Sequence, residues 1–368
     1  MESTHTTYLK IDLNALVHNF NFIKSQLKND TKILAVIKAF AYGHEANAIA
    51  KKLQEQNVDY FAVAYAQEGV KLRESGITTP ILVLHPQRND AKSCVEYKLE
   101  PNIYSFTMLE IFRNYMIGNQ IENFPIHLKF NTGLNRLGFK YADIDDLINQ
   151  VKSSKALKIK SVFSHLVASE DHSERAFTLG QISQYEKIVS KIEKHIDYKF
   201  IKHITNTSGT LNYPEAHFDM IRTGIGLYGY GNEDKWTQQL KNVGSLYTTI
   251  TQIHTLQKGE SVGYNRGYVA KKETKTATIP LGHADGLPRT WGKGKSFVSV
   301  NGKKAHVLGN VCMDMTMVDV TNIECNEGDQ VIVFDSQKTV EEIAVNVGTI
   351  SYELLTAISQ RVVRIVVD

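Results

Sequence analysis

The sequence predicts an α/β protein: an N-terminal (β/α)8 TIM-like barrel followed by a mainly β C-terminal domain. Three observations carry that expectation. Between about residue 30 and residue 235, short apolar runs alternate with longer polar-faced segments, the rhythm of strands and covering helices. Beyond about residue 240 the texture shifts to alternating and β-branched runs broken by Gly, Asn and Asp, as antiparallel strands and their turns do. At 368 residues the chain is also too long for the usual single domain and comfortable for two.

The barrel strands are expected at ILAVI (33–37), YFAVA (60–64), PILVL (80–84), IHLKF (126–130), KSVFSHL (160–166) and FIKHIT (200–205). The less regular NIYS (102–105) and GIGLYG (224–229) complete a set of eight. Between them NAIAKKLQEQN and QISQYEKIVSKIEKH repeat apolar residues at three and four, as amphipathic helices do. The count alone suits a doubly wound open sheet as well as a barrel. In the second part SLYTTITQIHTL, TATIPLG, SFVSVNGKKAHVLG, MTMVDV and QVIVF read as strands, and TVEEIAVNVGTISYELLTAIS as a single helical pattern. The expected division is an N-terminal segment, 1–12, pairing with the C-terminal domain, a barrel over 13–238, and the β domain over 239–368.

Composition narrows the function classes. A net charge of +3 provides no basic stripe for nucleic acid, and AKKETK (270–275) reads as a solvated turn. The first twenty residues lack an apolar signal core and a basic leader, and no window approaches a membrane span. Cys94, Cys312 and Cys325 are odd in number and far apart, which argues against a disulfide framework and a structural metal site. A cytoplasmic protein is expected.

The chemistry concentrates at strand ends, where the sites of a barrel lie. Lys38 follows ILAVI, His165 follows KSVFS, and Arg136 lies in NTGLNR after IHLKF. Asn206, Thr207 and Ser208 follow FIKHIT, while Arg222 precedes TGIG. Each has an ordinary reading: a snorkelling lysine, a core histidine, a plain turn. Together, an amine, arginines and a turn of hydroxyls and free amides describe a pyridoxal-phosphate site.

The chain resembles the alanine racemases along nearly its whole length. The stretches that carry the resemblance are VIKAFAYGHEA, LKFNTGLNRLGF, FSHLVASED, HITNTSG, YPEAHFDMIRTGIGLYG, VGYNRG, IPLGHADGLPR, GNVCMDMTMVDV and SYELLTAISQRVVR. The resemblance implies a homodimer that interconverts L- and D-alanine with pyridoxal 5'-phosphate, supplying D-alanine for peptidoglycan. It implies that Lys38 anchors the cofactor and is one base, with Tyr264 of the second subunit as the opposed base. It sets Arg222 at the pyridine nitrogen and Tyr42, Thr207, Gly224, Ile225 and Tyr352 at the phosphate, with His165 and Asn206 also on the cofactor side. Arg136 would meet the substrate carboxylate and Met313 would offer its backbone. Lys129 matches a lysine carbamylated in many members, and His283 and Asp314 are substrate-side positions. Lysine and tyrosine are poor bases at reference pKa values of roughly 10, so cationic neighbours must lower them.

The sequence departs from the family pattern at Phe40, Glu45, Asn131, Thr207 and His283, the last standing where a tyrosine lining substrate access is usual. These changes leave room for a broader amino-acid racemase of the same fold, acting on serine or larger side chains. A barrel-type decarboxylase carries a different cysteine motif from VCMDMTMVD, and small cofactor carriers are single barrels without Tyr264, Cys312, Met313 and Asp314.

Overall fold

The structure, a computed structural model, describes residues 6–28 and 30–368. The chain forms two compact units, one of residues 1–16, 42–45 and 241–368 and the other of residues 17–41 and 46–240. Residues 1–5 of the expected N-terminal segment lie outside the described residues.

The first strand is β1 (Tyr8–Asp12). The barrel unit then contributes β2 (Lys32–Val36), β3 (Tyr60–Val63), β4 (Ile81–Val83) and β5 (Glu100–Ile103). It continues with β6 (Phe124–Lys129), β7 (Leu157–Phe163), β8 (Ile201–His203) and β9 (Met220–Thr223). All are parallel, in the order β8-β7-β6-β5-β4-β3-β2-β9. Their order never reverses, so the doubly wound alternative falls and a barrel results. The seam between β8 and β9 is stitched by Asp219, whose N–H donates to Lys202 O at 3.1 Å, and by Arg222, which reaches Ile204 O at 2.9 Å.

Strands β3, β4 and β9 are buried at every position, as parallel strands with both faces covered must be. The covering helices bury one stripe each. In Ile144–Lys152 these are Ile144, Leu147, Ile148 and Val151, spaced at three, four and seven. One expected strand is displaced: GIGLYG is a 3₁₀ turn over Ile225–Tyr228, and the eighth strand is the preceding MIRT. A glycine-spaced apolar run reads like a buried strand, but its amides turn back onto Thr207 instead of joining the ladder.

The other unit holds β10 (Gly244–Thr249), β11 (Gln252–Leu256), β12 (Ser261–Val262), β13 (Tyr268–Val269) and β14 (Thr274–Ile279). Then follow β15 (Phe297–Val300), β16 (Lys303–Leu308), β17 (Thr316–Asp319), β18 (Gln330–Phe334) and β19 (Val363–Val367). Nine of its strands form one sheet, β11-β14-β17-β16-β15-β18-β10-β1-β19, and β12 and β13 form a ribbon. β1 lies antiparallel to β10, with Tyr8 stacked on Tyr247 at 5.3 Å, and parallel to β19. The single late helical pattern is two helices, Gln337–Val347 and Ser351–Ala357. Gly348, at φ +76°, ends the first in a left-handed cap that a side chain would strain. No described helix is long and apolar enough to cross a membrane.

Candidate active site

β2 ends in a backbone that few sequences adopt. Ala39, Phe40, Ala41 and Tyr42 all have φ between +52° and +55°, a left-handed turn closed by Ala41 N–H donating to Ile37 O at 3.0 Å. Each such residue costs roughly 1–2 kcal/mol, so the turn needs outside support. Glu68 supplies it: its carboxylate accepts from Ala39 N at 2.6 Å and from Ala64 N at 2.7 Å. Lys38 opens this turn, half-buried. Burial and the Arg136 charge lower its pKa, opposed by Glu68.

Arg222, 4% exposed, projects from β9 into a ring of acceptors. Nη1 donates to His203 Nδ1 at 2.7 Å, and Nη2 contacts Ser164 O at 2.7 Å, Ile204 O at 2.9 Å and His165 Nδ1 at 3.0 Å. Its Nε has no hydrogen bond among the described residues. Burial lowers its pKa to about 10, which leaves it charged at neutral pH. His165 and His203 are held well below the ordinary histidine value, first by burial and then by Arg222.

Lys129 ends β6 and is 7% exposed. Its amine sits 4.8 Å from the Phe163 ring centroid, with no carboxylate bonded to it among the described residues. Burial, Arg222 and Arg136 together push its pKa far down. Arg136, on the loop after β6, is exposed and makes no hydrogen bond or ion pair among the described residues. The structure therefore shows no bond by which unmodified Lys129 would orient Arg136. Asn131 caps that loop instead, accepting from Gly133 N at 3.1 Å and Asn135 N at 3.0 Å.

After β8, the Thr207 hydroxyl gathers the amides of Gly224 at 3.2 Å and Gly226 at 3.3 Å and lies 3.3 Å from the Thr223 hydroxyl. Ile225 is buried between those two glycines. Convergent amides and hydroxyls are the donor set an anionic phosphate takes. The Asn206 side-chain oxygen caps the next helix, accepting from Gly209 N at 2.8 Å and Ser169 Oγ at 2.7 Å. Amine, amide cradle and uncommitted Arg222 Nε match what pyridoxal phosphate presents: a carbonyl, a phosphate and a ring nitrogen. The residues fit the group.

The mainly β unit holds the remaining candidates. Tyr42 and Tyr352 face each other with ring centroids 6.1 Å apart, and burial raises the Tyr42 pKa. Tyr264 is 69% exposed on a 3₁₀ turn, Tyr264–Arg266, whose carbonyl accepts from Asn310 Nδ2 at 3.0 Å. Met313 is 59% exposed, and its N–H has no acceptor among the described residues. The His283 loop lies on the Met313 loop: His283 N donates to Cys312 O at 2.9 Å and Ala284 N to Met313 O at 3.0 Å. A Cβ at Gly282 would come within 2.4 Å of Met313 O, so only glycine permits this approach. Arg361 ties both loops, donating from Nε to Asp285 at 2.6 Å and from Nη2 to Asp314 at 2.7 Å. The Asp314 side chain thus serves the brace.

Glu68, Ser164, His203 and Arg361 escaped the sequence reading. Inward alternation along HITNTSG and KSVFSH could have flagged His203 and Ser164. Nothing local distinguishes Glu68 or Arg361, whose roles exist only through residues distant in sequence.

The family profile for the alanine racemase N-terminal domain matches residues 11–232, and that for the C-terminal domain matches residues 243–366. The chain is 36% identical to the alanine racemase of Thermodesulfovibrio yellowstonii, covering 96% of this chain and 95% of that protein. It is 33% identical to alanine racemase 2 of Caldanaerobacter subterraneus subsp. tengcongensis, covering 98% and 94%. The solved alanine racemase of Clostridium difficile 630 superposes with a TM-score of 0.92 at 32% identity, covering 100% of this chain and 97% of that one. That of Bacillus anthracis, solved with bound L-Ala-P, gives 0.92 at 27% identity, covering 100% and 96%. Matched in both of its parts and across its fold, the chain belongs to the alanine racemase family of isomerases.

Proposed function

We propose that this racemase interconverts L- and D-alanine with pyridoxal 5'-phosphate by a two-base mechanism, as a homodimer in the cytoplasm that supplies D-alanine for peptidoglycan. The observation that carries the cofactor reading is Lys38: an amine at the end of a barrel strand, its pKa lowered by burial and Arg136. A larger neutral fraction at working pH is what attachment to a carbonyl requires. When bound, the cofactor supplies an electron sink that makes the amino-acid α-proton removable.

The residues divide the remaining work. Arg136, free of other bonds, holds the substrate carboxylate by charge-assisted hydrogen bonding. Lys38 takes or returns the α-proton on one face, and Tyr264 of a second copy does so on the other. Arg222, with its Nε unbonded, would hold the ring nitrogen and, still charged, would give up no proton to it. Thr207, Gly224 and Ile225 would hold the phosphate, with Tyr42 and Tyr352 proposed alongside them. His165 orients Arg222, and the unpaired Met313 N–H of the second copy is a donor for substrate. The exposure of Tyr264 and Met313 supports a dimer, because a base left in water would not be screened from competing proton transfer. Three free cysteines fit a reducing compartment.

Borohydride treatment of the purified yellow protein should place the cofactor label on Lys38. In heavy water, alanine should exchange its α-proton while losing optical activity; a label elsewhere, or exchange without racemisation, would defeat the reading. A second reading, a broader amino-acid racemase, is favoured by exposed His283 at a substrate-side position. A racemisation screen over the common L-amino acids separates the two, since alanine should give the highest kcat/KM.

A further inference from the structure

Strands β5 to β9 each contribute one side chain to a continuous hydrogen-bonded line through the barrel. Glu100 Oε2 lies 2.7 Å from His127 Nε2, and His127 Nδ1 lies 2.6 Å from Ser161 Oγ. Ser161 Oγ lies 2.9 Å from His203 Nε2, and His203 Nδ1 lies 2.7 Å from Arg222 Nη1. His127, Ser161 and His203 are fully buried, whereas the Glu100 side chain is 13% exposed. No step in the proposed mechanism uses Glu100, His127 or Ser161.

The proton positions along this line follow from its two ends. A guanidinium can only donate, so His203 Nδ1 must accept and its Nε2 must carry the hydrogen. That N–H donates to Ser161 Oγ, whose own hydrogen is then directed to His127 Nδ1. His127 Nε2 carries the remaining hydrogen and donates to Glu100. An ionised carboxylate can only accept, so both ends demand the same direction, and each member makes its bonds without conflict. Burial would raise the Glu100 pKa, but the hydrogen bond of His127 and the positive charge it carries when protonated, then the charge of Lys160 and the Tyr60 hydroxyl, hold it below the ordinary value, so the acceptor end is ionised.

We propose that Glu100 is a positioning residue for Arg222, acting through His127, Ser161 and His203 to brace the guanidinium in one orientation. The line joins a carboxylate at one end of the barrel strands to the arginine that faces the cofactor. Its role in turnover rests on the proposed function above, through the part assigned to Arg222; its direction does not.

Two measurements test it. Ring-nitrogen NMR of labelled histidines, on the full chain without cofactor, should find His203 neutral with its hydrogen on Nε2, and a hydrogen on His127 Nε2. Glu100→Gln, which keeps an acceptor, should preserve this pattern. Glu100→Leu, which leaves the His127 N–H without one, should move His127 to a mixture of tautomers. A cationic or Nδ1-protonated His203 in the unaltered chain would overturn the proposal, and so would an unchanged His127 in Glu100→Leu.

The second measurement is a kinetic cycle on the loaded enzyme. Glu100→Leu and Ser161→Ala should each lower kcat about tenfold with KM changed less than about twofold, and the double variant should be no worse than either. Glu100→Gln should stay within about twofold of the unaltered chain. Multiplying losses, or a Gln variant as impaired as the Leu variant, would mean that Glu100 does not act through Ser161. If Glu100→Leu does not fold, the unaltered chain, Glu100→Gln and Ser161→Ala still decide. If no cofactor attaches to Lys38, the kinetic arm falls with the proposed function, and the NMR arm still decides the line itself.

Discussion

The candidate residues of the barrel unit and those of the mainly β unit are prepared in opposite ways. In the barrel, Lys38, Lys129, His165 and His203 are pushed toward their neutral forms, in each case first by burial. Arg222 is the buried cation among them, bonded to acceptors at the ends of β7 and β8. In the β unit, Tyr264 and Met313 stand in solvent on loops fixed through their backbones. The barrel thus sets protonation before any ligand arrives, whereas the β unit presents its groups to solvent. One region stores its chemistry in desolvation, the other in loop geometry.

The sharpest break of this contrast is Lys38→Ala. Borohydride should then label nothing, and racemisation should fall by roughly three orders of magnitude or more, the scale lost with a covalent catalytic group. Tyr264→Phe comes next, with a loss of about 10²–10⁴-fold, the range of general acid–base catalysis. It should be greatest starting from L-alanine, while the unfolding midpoint stays unchanged because the side chain buries little. Equal rates in both directions at the unaltered level would remove Tyr264 from the chemistry.

Arg361→Gln tests loop geometry without touching a proposed base. KM for alanine should rise about threefold to tenfold with kcat little changed, as when uniform binding is lost. Stability should change little, since the ion pairs of a half-exposed arginine are screened. A fall in kcat with KM constant would place Arg361 in the proton-transfer steps instead.

The last effect concerns the pH dependence of stability, not turnover. His165 and His203 bind protons less readily folded than unfolded, where their pKa is near 6.5. As pH falls below about 6.5 the unfolded chain takes up protons that the folded chain refuses, so stability drops, each group contributing at most about 1.4 kcal/mol per pH unit. The urea midpoint of the chain without cofactor should therefore be lower at pH 5.5 than at pH 8, and His203→Asn should flatten that slope. A midpoint that rises on acidification would contradict the neutral barrel interior.

Much of this was legible in the sequence. The apolar runs around ILAVI, YFAVA and PILVL became buried parallel strands because continuous burial needs continuous apolar residues. Lys38 and Arg222 stood out because a polar residue at or beside such a run must have a reason. The GIGLYG run and the late helix misled for a shared cause. An apolar pattern reports burial, but whether glycine continues, bends or ends an element depends on which acceptor its amide meets.

Sequence alone determined the alternation of strands and helices, the change of texture near residue 240, and the residue types of the candidate site, since these follow from burial and local periodicity. Tertiary structure alone decided the left-handed turn over Ala39–Tyr42, because Ala, Phe and Tyr have no preference for that backbone and hold it here with the Glu68 carboxylate on Ala39 N. It also decided the ends of the Glu100–Arg222 line and the Arg361 brace. Such pairings join residues tens of positions apart, and a hydrogen bond has no sequence signature until the fold brings donor and acceptor within reach.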